Sequence, residues 1–188
     1  MNRELVVLVD EKNNVLGTMP KKEAHRRKTP LHRAFSAFIF NKKGELLLQK
    51  RSGRKKTWPG VWSNSCCGHP ALGEKNEEAA KRRIKEELGL KVKNIKEVAP
   101  YRYKFSKNGI MENEICPILT VFLKKVPPKI KFDKKEVDKI RWVDWGEFLR
   151  EIKENPKQYS PWCVEQAKIL RRKLKIKKEE KLCINLRS

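Results

Sequence analysis

The pattern of apolar and polar positions predicts several short strands along the chain. Residues 5–10 (LVVLVD) form a continuous apolar run that is typical of a buried strand. Residues 33–40 and 45–51 are rich in β-forming side chains, and the Asn-Lys-Lys-Gly sequence at 41–44 between them predicts a hairpin turn. Further strands are predicted near residues 98–104, 115–124 and 139–143.

Apolar side chains at helical spacing predict three helices. Within residues 75–88, Ala80, Ile84 and Leu88 recur at every fourth position, and Gly89 follows as a stop signal. Two further helices are predicted to close the chain, over residues 145–155 and 161–178.

Many short strands with few helices predict an α+β fold, in which mixed β-sheets are packed between helices. A chain of 188 residues with 38% apolar content is the usual size of one domain and can bury one core. We therefore expect a single compact domain over residues 1–188, with its core at about 5–170 and a basic helical tail at about 171–188.

The segment over residues 52–73 is the first indication of function. It is rich in Gly, Pro, Ser and Trp, and it predicts a long ordered loop. Loops longer than about 15 residues inside compact domains are usually functional. The loop carries side chains that can act in catalysis or binding, namely Trp58, Trp62, Cys66, Cys67 and His69.

The charge of the chain narrows the class of partner. Lys and Arg number 46 against 23 Asp and Glu, which gives a formal net charge of +23. Such a charge is compatible with nucleic-acid binding. However, the lysines are spread along the whole chain, and only residues 168–181 form a dense basic run. We therefore expect no nucleic acid as the main partner, and a basic field also favours a small anionic substrate.

Cysteine usage and hydropathy indicate the compartment. The five cysteines have irregular spacing and form no CxxC pair, so neither a zinc ribbon nor a disulfide framework is predicted. No stretch approaches the roughly 20 apolar residues that span a bilayer, and the N-terminus lacks a secretory signal pattern. We expect free thiols, no membrane span and a cytoplasmic location.

Residues 68–90 resemble the Nudix box, G-x5-E-x7-R-E-U-x-E-E-x-G-U, where U is a bulky aliphatic residue. Gly68 is followed by five residues and Glu74, and seven more lead to Arg82. Every specified position matches except one, because Arg83 stands where the box has glutamate. The box glutamates bind metal and activate water. Replacing one by a cation is therefore expected to keep diphosphate binding and to weaken hydrolysis.

Helical geometry places Arg83 and Glu87 one turn apart on the same side of the predicted helix. A carboxylate there can hold Mg²⁺, which in turn binds phosphate oxygens. A guanidinium one turn away can bind the same oxygens with bidentate geometry. The alternative for this pair is a surface ion pair without a ligand.

The three histidines of the chain and two nearby glutamates predict a metal site. Glu112 and Glu114 stand two residues apart, so on a strand their carboxylates point to one face. With His25, His32 and His69 they make a five-ligand set of nitrogen and oxygen donors. Such a set, with water as a sixth ligand, suits Mg²⁺ or Mn²⁺ rather than a closed tetrahedral zinc site. Each histidine taken alone has a structural role as its alternative.

Several longer stretches are similar to the type I isopentenyl-diphosphate isomerases of the Nudix superfamily. The similarity runs from about residue 5 to 170 and includes the arginine in the Nudix box. The stretches that carry it are TPLHRAFSAFIF (29–40), KKTWPGVWSNSCCGHP (55–70), YRYKF (101–105), ENEICP (112–117) and SPW (160–162). The resemblance implies a Nudix-like fold and the interconversion of isopentenyl and dimethylallyl diphosphate in isoprenoid biosynthesis.

The resemblance also implies roles for individual residues. Cys67 and Glu114 are expected to be the acid–base pair on opposite faces of the substrate, and Tyr103 is expected to assist proton delivery near Glu114. One ion, Mn²⁺ or Mg²⁺ with Zn²⁺ as an alternative, is expected on His25, His32, His69, Glu112 and Glu114. A second Mg²⁺, which arrives with the diphosphate, is expected on Glu87.

Substrate contacts are implied in the same way. Trp162 is expected to cap the hydrocarbon end of the substrate, with a hydrophobic plug as its alternative role. The side chains expected to contact the phosphates are Lys21, Arg51, Lys55 and Arg83.

Two other functions stay open as alternatives. One is a Nudix pyrophosphohydrolase that acts on a nucleoside or prenyl diphosphate, and the other is a non-catalytic RNA-binding protein on a Nudix scaffold. Arg83, Cys67 and the histidine set argue against hydrolysis. We expect a small-molecule prenyl diphosphate as the partner, and a monomer or a weak dimer.

Overall fold

The computed structural model describes residues 4–174, which form two β-sheets, four α-helices and one 3-10 helix. The strands are β1 Leu5–Val9, β2 Val15–Pro20, β3 His32–Arg33, β4 Phe35–Phe40, β5 Glu45–Arg51, β6 Trp62–Ser63, β7 Cys66–Gly68, β8 Lys96–Ala99, β9 Arg102–Lys107, β10 Ile110–Ile115, β11 Ile118–Phe122 and β12 Val137–Asp144. The helices are α1 Lys21–Ala24, α2 Asn76–Leu88, α3 Trp145–Glu154 and α4 Pro161–Lys173, and the 3-10 helix is Pro156–Gln158. Within this described region, every helix is too short or too polar to cross a membrane.

Two segments of the chain pass side by side from one sheet into the other. The smaller sheet has the order β2-β1-β3-β10-β9, and the main sheet has the order β12-β5-β4-β11-β8, with β6 on β5 and β7 on β4. The pairs β3–β10 and β4–β11 are parallel, whereas the other pairs within the sheets are antiparallel. The predicted mixed α+β architecture is therefore confirmed.

Helices cover both faces of the main sheet, and this explains the apolar run of β4. Phe38 and Phe40 pack into a cluster that includes Phe148 of α3 and Leu170 of α4. The alternate side chains of β4 pack into a second cluster with Ile84 of α2. A strand buried on both faces loses the polar alternation of an edge strand. Burial of each such large side chain contributes roughly 1.5–3 kcal/mol.

The predicted helix of the Nudix box is confirmed almost to the residue. Lys75 is the N-cap of α2, and Gly89 ends the helix in the left-handed conformation, with its N–H donating to the carbonyl of Lys85. The third predicted helix ends earlier than expected, because Leu174 turns into an extended conformation and is buried. The remainder of the predicted basic tail, residues 175–188, lies outside the described residues.

Several predicted strand boundaries were wrong. The segment 52–73, predicted as a long ordered loop, also contains the short strands β6 and β7. The strand expected at 98–104 is two strands in different sheets, and the strand expected at 115–124 is divided at 116–117, where the chain passes between sheets. Neither β2 nor α1 was predicted. Half of the β2 residues are exposed and the strand has no apolar alternation, and α1 is a single turn.

Two glycines with similar backbone angles allow a matched test of packing at the end of α2. Gly89 has φ 63°, and an added Cβ would lie 2.7 Å from the carbonyl oxygen of Lys131. Gly109 has φ 74° in the β9–β10 turn, where an added Cβ meets nothing within 4 Å. We expect Gly109→Ala to lower the free energy of unfolding by roughly 1–2 kcal/mol, the cost of the left-handed backbone.

Gly89→Ala should cost a further 1–3 kcal/mol or so, because the carbonyl must also move. Urea unfolding of both variants measures the two values. Equal losses would show that the contact with Lys131 makes no difference to stability.

Candidate active site

Three imidazoles converge on one carboxylate where the two sheets meet. His32 on β3 and Glu114 on β10 are partners in the parallel register. His25 follows α1 and His69 follows β7. The Nε2 atoms of His25, His32 and His69 lie 3.9, 3.4 and 3.2 Å from Oε1 of Glu114. One ligand atom from each of these four residues lies within 4.8 Å of all the others, so the group can hold a metal ion.

The hydrogen bonds behind two imidazoles orient them as metal ligands. Nδ1 of His25 lies 3.0 Å from the carbonyl oxygen of Lys21, and Nδ1 of His32 lies 2.9 Å from that of Pro30. Because a carbonyl only accepts, these Nδ1 atoms carry a proton, and each Nε2 that faces Glu114 is the atom that can bind a metal ion. This is the arrangement that orients histidines around metals.

Unpartnered polar atoms support the same interpretation. Nε2 of His32 and Oε2 of Glu112 are buried, and among the described residues neither makes a hydrogen bond of good geometry. Leaving such groups unpaired is costly, and a divalent ion would satisfy them. Glu112 lies beside the cluster, with Oε2 2.9 Å from Nε2 of His25, but it is outside the group of four. The donor set therefore fits a divalent metal, with Glu112 at its edge.

The charges of the cluster stabilise one another although they are buried. Burial disfavours the carboxylate of Glu114, but its contacts with His25, His32 and His69 outweigh that effect and hold its pKa well below the ordinary value. Burial likewise disfavours the charged imidazole of His25, yet Glu112 and Glu114 raise its pKa to about 10. The site therefore holds Glu114 as a carboxylate.

The same carboxylate also faces a cavity of about 310 Å³. Cys67, Tyr103 and Trp162 line this cavity together with Glu114. Tyr103 donates its hydroxyl proton to Oε2 of Glu114 at 2.6 Å. The ring of Trp162 stacks on that of Tyr103, with 5.6 Å between ring centroids. Glu114 thus joins the metal cluster through Oε1 and the cavity through Oε2.

Cys67 reaches the cavity because neighbouring strand residues face opposite sides. β7 pairs with β4 so that Cys67 lies opposite Ser36. The preceding Cys66 is fully buried in the core cluster formed with α2. Burial raises the pKa of the Cys67 thiol, although Ser36 and Asn64 act against it. The thiol in the cavity therefore holds its proton.

Asn64 fixes the surroundings of that thiol. Its Nδ2 donates to the carbonyl oxygens of Ala37 and Cys66, at 3.2 and 2.9 Å. The same amide contacts the thiol of Cys67, whose Sγ accepts from Nδ2 at 3.2 Å and donates to Oδ1 at 3.3 Å. Asn64 is fully buried.

Basic side chains surround the open end of the cavity. Three of the residues expected to bind phosphate, Lys21, Arg51 and Lys55, line it. The guanidinium of Arg51 is held in place by two contacts. Its Nε donates to the carbonyl oxygen of Trp58 at 3.0 Å, and its Cζ lies 5.2 Å from the centroid of the Trp162 ring. The cavity is also lined by four cations that were not predicted, namely Lys22, Arg54, Lys56 and Lys135.

The structure does not bring Arg83 and Glu87 into the cavity, since neither is among its lining residues in the described chain. Arg83 forms ion pairs with Glu87 and, at 2.9 Å, with Glu86 on the same helix. Its Nη2 lies 3.6 Å from Oε1 of Glu136, which does line the cavity. Gly68 lets α2 come this close, because an added Cβ would lie 2.8 Å from Cγ of Arg83.

Sequence reasoning missed several residues of the site. Asn64 lies in the stretch WSNSCCGHP, so that stretch could have identified it. The basic run RSGRKK at residues 51–56 could have identified Arg54 and Lys56. No local pattern distinguishes Glu4 or Glu136, which reach the site only through the folded chain.

A family model described as the NUDIX domain matches residues 30–163. Solved structures agree on the fold. The structure of DR0079 from Deinococcus radiodurans has a TM-score of 0.69 at 20% identity and covers 88% of this chain and 98% of its own. The NUDIX domain of Shewanella oneidensis NrtR, solved with ADP ribose, has a TM-score of 0.55 at 16% identity over 76% of this chain and 86% of its own. The fold is thus that of a NUDIX-domain protein.

Curated relatives are more specific. A Saccharopolyspora erythraea protein named isopentenyl-diphosphate Delta-isomerase is 44% identical over 166 residues, which cover 87% of this chain and 84% of the relative. An Escherichia coli protein of the same name is 44% identical over 169 residues, covering 89% and 91%. The chain belongs to the isopentenyl-diphosphate Delta-isomerase family within the NUDIX superfamily. The resemblance seen in the sequence is therefore confirmed.

Metal binding by the histidine cluster can be tested without any substrate. We expect the protein to bind about one Mn²⁺ per chain and to melt at a higher temperature when Mn²⁺ is added, because the ion binds only the folded cluster. His32→Ala should weaken binding at least 10-fold in calorimetry and remove most of the thermal shift. Glu97→Gln, far from the cluster, is the control. Unchanged affinity in His32→Ala would contradict the assignment.

Proposed function

We propose that the protein isomerises isopentenyl diphosphate to dimethylallyl diphosphate, and back, in isoprenoid biosynthesis, with Cys67 and Glu114 as its acid–base pair. The observation that carries the proposal is that this thiol and this carboxylate line one small cavity, beside a metal-ligand cluster and beneath Trp162. The reaction adds a proton to one carbon of the alkene and removes another proton two carbons away. It therefore needs one donor and one acceptor within reach of a bound five-carbon chain.

The protonation states of the two groups suit this demand. Burial keeps the Cys67 thiol protonated by raising its pKa, whereas the histidines hold Glu114 as a carboxylate. One donor and one acceptor are therefore ready in the resting protein. The hydroxyl of Tyr103, bonded to Glu114, gives a proton a path to or from that carboxylate. The reverse reaction exchanges the two roles.

Protonation of the alkene develops positive charge on a tertiary carbon, which the cavity must stabilise without water. The indole of Trp162 is 2% exposed and lines the cavity. An aromatic face attracts a nearby cation by roughly 0.5–2 kcal/mol, and by more when the cation is desolvated. Exclusion of water also prevents capture of the cation as an alcohol.

The basic end of the cavity suits the diphosphate. We propose that Lys21, Arg51 and Lys55 contact phosphoryl oxygens there, with Arg83 joining them when the substrate binds. Lysine and arginine bind such oxygens through charge-assisted hydrogen bonds. This anchoring would position the hydrocarbon chain between Cys67 and Glu114.

Two divalent ions complete the proposed site. His25, His32, His69, Glu112 and Glu114 would hold Mn²⁺ or Mg²⁺, with Zn²⁺ as an alternative. Glu87 would hold an Mg²⁺ that arrives with the diphosphate. The bound ions supply positive charge, which orients the Glu114 carboxylate and neutralises the phosphates.

The alternative function, pyrophosphate hydrolysis, needs the glutamate that Arg83 replaces. In the structure Arg83 neutralises Glu87, a remaining carboxylate of the box. With a guanidinium in place of that glutamate, the box lacks one of the carboxylates that bind metal and activate water in hydrolysis.

The proposal also covers the partner of the protein, its compartment and its oligomeric state. A small prenyl diphosphate is the partner, and the four cysteines of the described region are unpaired, which supports a reducing cytoplasm. A monomer or a weak dimer stays a prediction, as do the domain limits.

The adjacent cysteines provide a matched test of the acid–base pair. Cys67→Ala and Glu114→Gln should each lower kcat by about 10²–10⁴-fold, because each removes one proton-transfer group. Cys66→Ala, whose thiol faces the core, should keep kcat within a few-fold of the unmodified protein. NMR of isopentenyl diphosphate with Mg²⁺ and Mn²⁺ follows the conversion. Near-normal turnover in Cys67→Ala would refute the assignment, and phosphate release without isomerisation would favour the hydrolase.

Trp162 allows a test of cation stabilisation. Trp162→Leu removes the aromatic face and should lower kcat by roughly 2- to 30-fold, the range expected of a cation–π contact. Trp162→Phe keeps an aromatic ring and should lose less. Equal losses in both variants would assign Trp162 the role of a hydrophobic plug.

A further inference from the structure

The two lysines proposed to bind phosphate each already contact a carboxylate of the chain. Nζ of Lys21 lies 2.8 Å from Oε1 of Glu4, and Nζ of Lys55 forms an ion pair with Oε2 of Glu136. Both glutamates line the cavity. They belong neither to the Nudix box nor to the metal cluster. Two of the cations that line the cavity are therefore neutralised by internal anions.

Glu136 is the stronger case, because it bridges two cations from different elements. Its Oε2 contacts Lys55, and its Oε1 lies 3.6 Å from Nη2 of Arg83 on α2. Two oxygens of one anion that bridge a lysine and an arginine reproduce the way a phosphoryl group is bound. The side chains of Lys55 and Glu136 are 23% and 25% exposed, so a ligand that enters the cavity can reach them.

The backbone holds Glu136 in this position independently of its charge. Its N–H donates to the carbonyl oxygen of Asp133, and its own carbonyl oxygen accepts from the N–H of Ser52, each at 3.0 Å. The carboxylate is thus presented to Lys55 by the fold. Lys55 and Arg83 lower the pKa of Glu136 although burial acts against them, so the carboxylate is charged at neutral pH.

We propose that Glu136 is an internal counter-ion that occupies the diphosphate position of the substrate-free protein, so that substrate binding exchanges this carboxylate for phosphoryl oxygens on Lys55 and Arg83. This inference rests on the proposed function, which assigns those two cations to the diphosphate. The exchange makes Glu136 a specificity residue. A small anion of low charge gains little by displacing a carboxylate, whereas a diphosphate offers more charge and more oxygens to both cations.

Binding of inorganic diphosphate tests the exchange directly. Isothermal titration calorimetry uses the protein as purified, with no added divalent ion. Glu136→Gln keeps the shape of the side chain and removes its charge, so diphosphate no longer competes with it for Lys55. We expect the dissociation constant to fall by roughly 3- to 10-fold. Unchanged or weaker binding in Glu136→Gln would overturn the proposal.

Glu86→Gln is the matched control. It removes another carboxylate that contacts Arg83, at 2.9 Å, but from the exposed side of α2 and outside the cavity. Diphosphate affinity should change less than about 2-fold, because screening by water weakens this pair. An equal gain in Glu86→Gln would mean that overall charge, and not the position of Glu136, governs binding.

A double-mutant cycle separates the local effect from misfolding. In a Lys55→Met background, Glu136→Gln should improve affinity less, because one of the two cations that it releases is gone. Glu136→Ala serves as a second variant, and melting curves verify that each protein is folded. An undiminished gain in the Lys55→Met background would overturn the proposal.

Failure of the counter-ion proposal can be distinguished from failure of the proposed isomerase function. Tighter diphosphate binding in Glu136→Gln, with no isomerisation by the unmodified protein, would uphold the counter-ion and refute the isomerase. Normal isomerisation by the unmodified protein, without tighter diphosphate binding in Glu136→Gln, would uphold the isomerase and refute the counter-ion.

Discussion

The parallel pairing of His32 with Glu114 is the constraint on which the rest of the site depends. β3 and β10 carry these residues in the smaller sheet, and each continues directly into a strand of the main sheet. The pairing therefore fixes the line along which the two sheets join. It also buries a carboxylate, which a fold tolerates only when other groups compensate its charge. The three imidazoles provide that compensation, and this is why they gather from separate parts of the chain.

The thiol occupies its position for the same reason. β7 pairs with β4, the continuation of β3, so Cys67 lies opposite Ser36, four residues beyond His32. The cavity between this thiol and Glu114 is thus a product of the crossing between sheets. Helix α4 then brings Trp162 over it, and the loop after β5 brings Lys55 to its open end. Groups from five distant segments meet because two pairs of strands run in parallel.

The sequence revealed the parts of the molecule that are governed by local interactions. Helix α2 was predicted closely, since its apolar spacing and its terminal glycine lie within a single stretch of chain. The division of the region near Cys116 was not predicted, because residues 115–124 are mostly apolar and Pro117 is the one turn signal among them. Strand β2 escaped notice because its exposed side chains need no regular pattern.

The same distinction applies to the site. The histidines, Cys67 and Glu114 were identifiable because they lie in motifs with a chemical rationale. Glu136 was not identifiable, since its place in the site depends on its contact with Lys55, 81 residues away in the chain. Asn64 was quoted within a motif but had no assigned role, because its amide acts on the thiol only after β7 has folded against β4. Long-range contacts of this kind leave no local trace.

Two adjacent cysteines on β7 create an ambiguity that the fold must resolve. A slip of this strand by one residue would exchange the sides on which the two thiols lie, and a thiol would still enter the cavity. The presence of a thiol in the cavity therefore does not determine the register of β7. Gly68 determines it, because only a residue without a side chain fits against Phe35 and Arg83 at that position. A slipped strand would place Cys67 or His69 there. The glycine that opens the Nudix box therefore also fixes the alignment of β7 on β4, independently of any metal or substrate.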